Sequence, residues 1–125
     1  MVHFLGWVEQ TRAAELMASA DVMILPSHDE GLPLSVLEAL ANSVAVICTP
    51  VGEIPTVLDD GVNALFVNPH DVQGIADALK KVMGDAALRA RLEAAGRSAY
   101  ENRFSLAHFS SQVATVHKNS FKLGT

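Results

Sequence analysis

Short, uninterrupted apolar runs constrain the fold of this chain most strongly. Val22–Leu25 and residues 44–48 contain no polar side chain, whereas a strand with one solvated face alternates apolar and polar residues. Such runs are typical of strands buried on both faces, as in parallel sheets covered by helices. Residues 2–5 and 64–67 are similar runs, and we interpret them as two further strands.

Segments with helical spacing separate and follow these runs. Residues 11–20 and 33–41 are long enough to return the chain to the next parallel strand, which gives βαβ units. Gly84 is placed to end a later helix, and Asp85 is placed to cap the next one. The apolar stripes of three final helices are Ile75, Leu79, Val82 and Met83; Leu88, Leu92, Ala95 and Ala99; and, after a Ser105 cap, Leu106, Phe109, Val113 and Val116. The pattern predicts a Rossmann-like α/β fold, a parallel sheet flanked by helices.

The number of strands predicts that this sheet is part of a larger one. Four predicted strands are fewer than the five or six that sheets commonly contain, and Met1 leads directly into the first. We therefore expect residues 1–125 to form one contiguous part of a doubly wound domain, with further βα units upstream. An uncovered sheet edge would favour self-association.

The distribution of charge limits the partners of the chain. Its formal net charge is −5, whereas nucleic acids and anionic surfaces require clustered Lys and Arg, so nucleic acid is not a predicted partner. No basic residue lies between Arg12 and Lys80, although ten acidic residues do. An anion bound in that stretch must therefore use backbone N–H groups.

Two further features bear on the location of the protein. No apolar run approaches the roughly 20 residues that a membrane-spanning helix needs. The single cysteine, Cys48, lies inside a predicted strand, which predicts a buried and unreactive thiol. Together they favour a cytoplasmic location.

The turn after Leu25 concentrates the residues expected at a ligand site, because ligands of open α/β sheets bind beyond the carboxyl ends of the strands. Gly31 permits close backbone approach, and Pro33 suits the first helical turn, where an N–H is not needed. The helix N-terminus offers N–H groups and a positive dipole end to a phosphate. Glu30 and Glu38 can each accept two hydrogen bonds, which suits neighbouring hydroxyls of a sugar or ribose.

Several motifs combine into a family pattern. Glu30 and Glu38 form an E-x7-E pair, preceded by Pro-Ser and followed by Ala-Leu-Ala. Phe4-Leu5-Gly6-Trp7, residues 20–27 and residues 60–67 extend the pattern over nearly the whole chain. In this order the motifs resemble the C-terminal, donor-binding domain of retaining GT-B glycosyltransferases of family 4, the group 1 type.

This resemblance implies a role for each residue of the motif. Glu30, the implied catalytic residue, would contact hydroxyls of the transferred sugar, and Glu38 would hold the ribose hydroxyls. Gly31 and Leu32 would offer N–H groups near the sugar and the diphosphate. The implied donor-binding set is Ser27, Glu30, Gly31, Leu32, Pro33, Ser35 and Glu38. Members of the family use a nucleoside-diphosphate sugar as substrate and need no tightly bound metal or other cofactor.

The resemblance also implies partners outside this chain. In two-domain enzymes of this kind an N-terminal domain binds the acceptor, here expected to be a glycan or lipid-linked glycan, as in polysaccharide biosynthesis. Such an acceptor would be compatible with peripheral membrane association of the full-length protein. Residues 1–125 alone are therefore expected to bind the donor and to be inactive in transfer.

Departures from the family pattern keep alternatives open. The family commonly has Gly and Pro where Ser43 and Ala45 stand, and a second Gly and a Glu where Glu53 and Thr56 stand. Glu53 in particular could obstruct the sugar pocket. The alternatives are a noncatalytic nucleotide-sugar-binding or interaction module of the same fold and, with less support, a sugar-nucleotide epimerase.

Other polar and aromatic residues carry no functional prediction. Residues 28–30 include three possible metal ligands, but three consecutive residues in a turn seldom converge on one ion, so no metal site is predicted. The remaining histidines are scattered and pair with no nucleophile. Trp7 is interpreted as a packing residue rather than a stacking platform for a base.

Overall fold

The computed structural model describes residues 1–103, and its centre is a parallel sheet of three strands with the order β1-β2-β3. The elements are α1 (Gln10–Ser19), β1 (Val22–Leu25), α2 (Leu34–Ala41), β2 (Ala45–Cys48), α3 (Ile54–Val57), β3 (Leu65–Phe66), α4 (Val72–Gly84) and α5 (Ala86–Arg103). Strands alternate with helices, and the register places Val22 opposite Ala45 and Ile47 opposite Leu65. The predicted α/β class is therefore confirmed.

β2 is the central strand, and all four of its residues are buried. Its alternate side chains enter two separate apolar clusters. The first cluster joins β2 to α2, and its buried members include Val36, Leu40, Val46 and Cys48. The second joins β2 to α4 and α5, and its buried members include Ala45, Ile47, Val82 and Leu92. Helices thus cover both faces of this strand, as its uninterrupted apolar run predicts.

β1 is half-buried along its whole length, although its apolar run predicts a strand buried on both faces. Its side chains do reach both clusters: Met23 and Leu25 contact the first, and Val22 and Ile24 contact the second. Its exposure follows from position, because β1 is an edge strand of the sheet that residues 1–103 form.

The strand predicted over residues 2–5 is wrong. Residues 1–9 contain neither helix nor strand, and the Phe4 side chain is 97% exposed. An extended run becomes a strand when a neighbour supplies backbone hydrogen bonds, and no strand of the described part pairs with this segment. The packing interpretation of Trp7 is also wrong, since that side chain is 87% exposed.

The bounds of α1 and α2 lie within one residue of those predicted, whereas α3 is a single turn that was not predicted. Gly84 ends α4 as predicted, and Asp85 Oδ1 accepts the Leu88 N–H at 3.0 Å, which is the predicted cap. Met83 was predicted to face the core but is 61% exposed. The helix predicted after Ser105 lies outside the described residues. No helix within residues 1–103 combines the length and apolarity that membrane crossing requires.

The Cys48 thiol is fully buried, and we expect it to be unreactive in the folded chain. Burial, with a smaller contribution from the nearby Asp60 carboxylate, raises the pKa of Cys48 to about 12. Because the thiolate is the reactive form, an aromatic disulfide reagent at pH 8 should label no thiol in the native chain and one thiol per chain in denaturant. Rapid labelling without denaturant would contradict this packing.

Candidate functional site

The candidate site is formed where three loops meet at the carboxyl ends of the strands. They are the β1–α2 loop (residues 26–33), the β2–α3 loop (residues 49–53) and the β3–α4 loop (residues 67–71). The β1–α2 loop contains most of the residues predicted to bind a ligand. The other two loops contact it directly.

Thr49 fixes the beginning of the β1–α2 loop. Its side chain is fully buried, and its hydroxyl donates a hydrogen bond to the Ser27 carbonyl oxygen. The Thr49 N–H also donates to the Leu25 carbonyl at 3.3 Å, which continues the pairing of β1 with β2 by one residue. These bonds anchor the loop to the central strand.

Gly52 brings the β2–α3 loop against the β1–α2 loop. Its φ is +58°, and a Cβ atom at this position would overlap the backbone carbonyl oxygen of Glu30. The next N–H, that of Glu53, donates to the Gly31 carbonyl at 3.0 Å. This role of Gly52 was not predicted from the sequence. A glycine shortly after a predicted buried strand is a signal for close backbone approach.

A pair of histidines joins the β1–α2 loop to the β3–α4 loop. The ring centroids of His28 and His70 are 4.0 Å apart, and the ring planes are inclined by 42°. His70 has a φ of +63°, a left-handed conformation that is uncommon for a residue other than glycine. The two residues are 42 positions apart, so no local pattern indicates their contact.

Glu30 is held by its own loop. Ser27 Oγ donates to Glu30 Oε1 at 2.9 Å, and both residues are half-buried. The other carboxylate oxygen accepts no hydrogen bond from residues 1–103. Gly31 is exposed, and a Cβ atom there would meet open space, so the loop leaves room for a ligand beside this backbone.

The N-terminus of α2 follows directly. Pro33 is the N-cap residue, with φ −71° and ψ 135°, and so precedes the first helical turn in which it was predicted. Its carbonyl accepts the N–H groups of Val36 and Leu37 at 3.2 and 3.4 Å, which defines it as the cap. The N–H groups of Leu34 and Ser35 have no acceptor within the described part of the chain. They are available to an anion.

Glu38 lies on the exposed face of α2. Its carboxylate makes no hydrogen bond or ion pair with residues 1–103, while its carbonyl accepts the Asn42 side-chain amide at 2.8 Å. Ser35 is half-buried, and Val36 and Leu40 on the opposite side are buried. Ser35 and Glu38 thus belong to a polar face of α2, and this face begins at the candidate site.

The electrostatics of the site are set by carboxylates and backbone dipoles. Glu30, Glu38 and Glu53 lie along the loops and α2, and the sequence has no Lys or Arg between Arg12 and Lys80. An anionic group would therefore be held here by N–H groups and the positive end of the α2 dipole. Within residues 1–103, no three side chains of His, Cys, Asp or Glu come together as metal ligands would.

Two open clefts lie outside the β1–α2 loop on the described part, and the first borders the β2–α3 and β3–α4 loops. One of about 600 Å³ runs along β3 and α4, and its lining includes Pro50, Asp60, Phe66, Asp71 and Lys81. The other, of about 420 Å³, separates α3 from α5, and its lining includes Thr56, Asn63, Ser98 and Arg103. Neither contains a residue of the predicted binding set. The clefts and the predicted binding residues therefore lie at different places, and the candidate site is defined by the predicted binding residues.

The comparisons with known proteins identify the family. The family model for glycosyl transferases group 1 matches residues 1–99, most of the chain. The chain belongs to the group 1 glycosyltransferases. The predicted resemblance to the C-terminal domain of a GT-B glycosyltransferase is confirmed, while donor binding and the roles of individual site residues stay predictions.

Two similar proteins differ from this chain in length. The D-inositol 3-phosphate glycosyltransferase of Nocardioides sp. is 35% identical to this chain in the matched region. The match covers 96% of this chain but only 26% of the relative. The chain therefore spans about a quarter of that relative's length. The C-terminal domain of a glycosyl transferase group 1 family protein (LpcC) from Francisella tularensis is 30% identical to this chain and superposes with a TM-score of 0.76. The match covers 82% of this chain and 53% of the LpcC chain.

A third protein shares the fold at lower sequence identity. The Anabaena protein Alr3699/HepE, solved in complex with UDP-glucose, has a TM-score of 0.79 at 21% identity, over 84% of this chain and 29% of that chain. The β1–α2–β2 arrangement described above is thus part of a fold that occurs in a protein with a bound nucleotide sugar.

Proposed function

We propose that this group 1 glycosyltransferase domain binds a nucleoside-diphosphate sugar at the β1–α2 loop and the start of α2. One observation supports the proposal best. Glu30 and Glu38 lie on either side of a helix N-terminus whose Leu34 and Ser35 N–H groups are unoccupied within residues 1–103. A nucleotide sugar has the matching order of groups, with sugar hydroxyls, a diphosphate and ribose hydroxyls in succession.

In this proposal each part of the donor meets a group of suitable chemistry. The diphosphate lies at the α2 N-terminus and, with Gly31 and Leu32, is bound through backbone N–H groups. Glu38 accepts hydrogen bonds from the ribose hydroxyls. Glu30, held by Ser27, accepts them from the sugar. The protein contributes orientation and preorganised dipoles to a sugar transfer that retains configuration, without a cofactor.

The activity of the whole protein is part of the same proposal. The chain covers 26% of the Nocardioides relative, so we assign the acceptor to residues beyond this domain. Hexosyl transfer to a glycan or lipid-linked glycan at the cytoplasmic side is the reaction we propose for the complete enzyme. Residues 1–125 alone should bind donor and transfer no sugar above background.

A substitution at Glu38 tests the donor site. We expect Glu38→Gln to weaken nucleotide binding by about tenfold or more, because charged hydrogen bonds to two hydroxyls are lost. Since Glu38 is exposed, the unfolding midpoint in urea should not change. Glu15→Gln, an exposed glutamate on α1, is the matched control and should leave nucleotide affinity unchanged.

The result also separates the alternatives. Loss of binding with an intact fold supports the transferase interpretation. Equal nucleotide affinity in the Glu38→Gln variant and the unmodified chain would contradict the proposed site and favour a noncatalytic interaction module.

A further inference from the structure

Glu53 lies at the proposed site but has no part in the donor contacts assigned above. Its N–H donates to the Gly31 carbonyl at 3.0 Å, so its backbone adjoins the segment proposed to contact the sugar and diphosphate. Its side chain is exposed. The Glu53 backbone therefore lies against the β1–α2 loop, and its exposed side chain can contact a ligand bound there.

The backbone of Glu53 is fixed on both sides, so its location does not depend on a loose loop. Gly52 is in contact with the Glu30 carbonyl, and the Glu53 carbonyl accepts the Thr56 hydroxyl at 2.6 Å. Glu53 is also the N-cap residue of α3. Its carboxylate makes no hydrogen bond or ion pair with residues 1–103, so its charge is not neutralised by a described neighbour.

The surroundings of Glu53 contain further negative charge. Asp29 and Glu30 lie in the loop that Glu53 contacts, and the sequence offers no Lys or Arg between positions 12 and 80. Arg103 lies at the other end of α3, where its guanidinium donates to the Thr56 carbonyl at 3.0 Å, and it forms no ion pair with Glu53. A second carboxylate brought by a ligand would therefore face like charges, and like-charge pairs are a common way to reject a wrong ligand.

We propose that Glu53 is a specificity-determining residue that makes this domain select neutral sugars and reject uronic acids. The inference rests on the proposed donor site, because it concerns the sugar bound there. A neutral sugar presents hydroxyls, and these can donate hydrogen bonds to the carboxylates of Glu30 and Glu53. A uronate presents a carboxylate, which the Glu53 carboxylate repels.

The test compares two donors that differ in one group. UDP-glucose carries a CH2OH group where UDP-glucuronate carries a carboxylate, and UDP is the sugar-free reference. NMR titration of residues 1–125 should show UDP-glucose binding about fivefold or more tightly than UDP-glucuronate, the effect of one like-charge pair near the surface. If GDP or ADP binds better than UDP, the corresponding neutral and uronate sugars on that nucleotide are compared.

Charge removal separates Glu53 from other causes. Glu53→Gln should reduce the preference to within about twofold, and 0.5 M NaCl should reduce it in the unmodified chain, because salt screens exposed charges. Asp21→Asn removes the same charge from an exposed residue before β1, at the opposite end of the sheet, and should keep the full preference. A structural effect of residue 53 would not depend on salt.

Two outcomes overturn the inference, and they can be told apart. In the first, nucleotides bind at the β1–α2 loop, but UDP-glucuronate binds as tightly as UDP-glucose, or the preference for UDP-glucose survives Glu53→Gln. The role of Glu53 is then wrong and the donor site stands. If no nucleotide binds there, the proposed function fails and the inference fails with it.

Discussion

Gly52→Ala should lower the free energy of unfolding by about 3 kcal/mol or more, among the largest effects of any single substitution near the site. Two causes act together. The φ of +58° disfavours a side chain, and a Cβ atom would overlap the Glu30 carbonyl oxygen. Removing this overlap requires the β2–α3 loop to move away from the β1–α2 loop. That movement would break the hydrogen bond from the Glu53 N–H to the Gly31 carbonyl.

Two other glycines separate these causes. Gly61 has a φ of +77° with open space around it, so Gly61→Ala should cost about 1 kcal/mol from the backbone alone. Gly31 has open space and no positive φ, so Gly31→Ala should have a smaller effect. Urea unfolding followed by circular dichroism measures all three. A Gly52→Ala effect no larger than that of Gly61→Ala would contradict the close approach of the two loops.

Leu40→Ala should lower the free energy of unfolding by about 2–5 kcal/mol, the range for a large apolar side chain removed from a packed core. Leu40 is 1% exposed in the first apolar cluster. Its Cδ2 lies so close to α5 that a Cβ atom on Gly96 would be 2.9 Å away. The side chain therefore fixes α2, which carries Glu38, against α5.

Leu34 provides the matched control on the same helix. It is 73% exposed, so Leu34→Ala should change stability by less than about 0.5 kcal/mol. The same urea experiment compares the two variants. Equal effects at positions 34 and 40 would show that α2 is not packed on α5 in the way the structure describes.

The elements that the sequence predicts well are those set by local pattern. Residues 45–48 form a strand buried on both faces because every side chain is apolar, and α4 ends at Gly84, where the helical spacing stops. The cap at Asp85 is likewise a local interaction. Such features depend on a few consecutive residues, and a single sequence contains that information.

The features that the sequence did not predict depend on contacts between distant segments. Whether residues 2–5 pair, and whether β1 is an edge or an interior strand, depends on neighbours that an apolar run does not specify. The contact between His28 and His70 and the close approach of Gly52 to Glu30 join different loops. Topology predicts the candidate site at the carboxyl end of β1, while the contacts that hold its loops together were found in the structure.

We expect nucleotides to bind at the β1–α2 loop and the start of α2. The direct test is to add UDP, GDP and ADP separately to the isotope-labelled chain and follow the backbone amides by NMR. Because no basic residue is near in sequence, we expect a dissociation constant of about 1 mM or somewhat tighter. The proposed site predicts saturable shifts confined to residues 27–39 and the adjoining Gly52 and Glu53. Shifts centred on the cleft along β3 and α4, or none with any of the three nucleotides at high concentration, would contradict it.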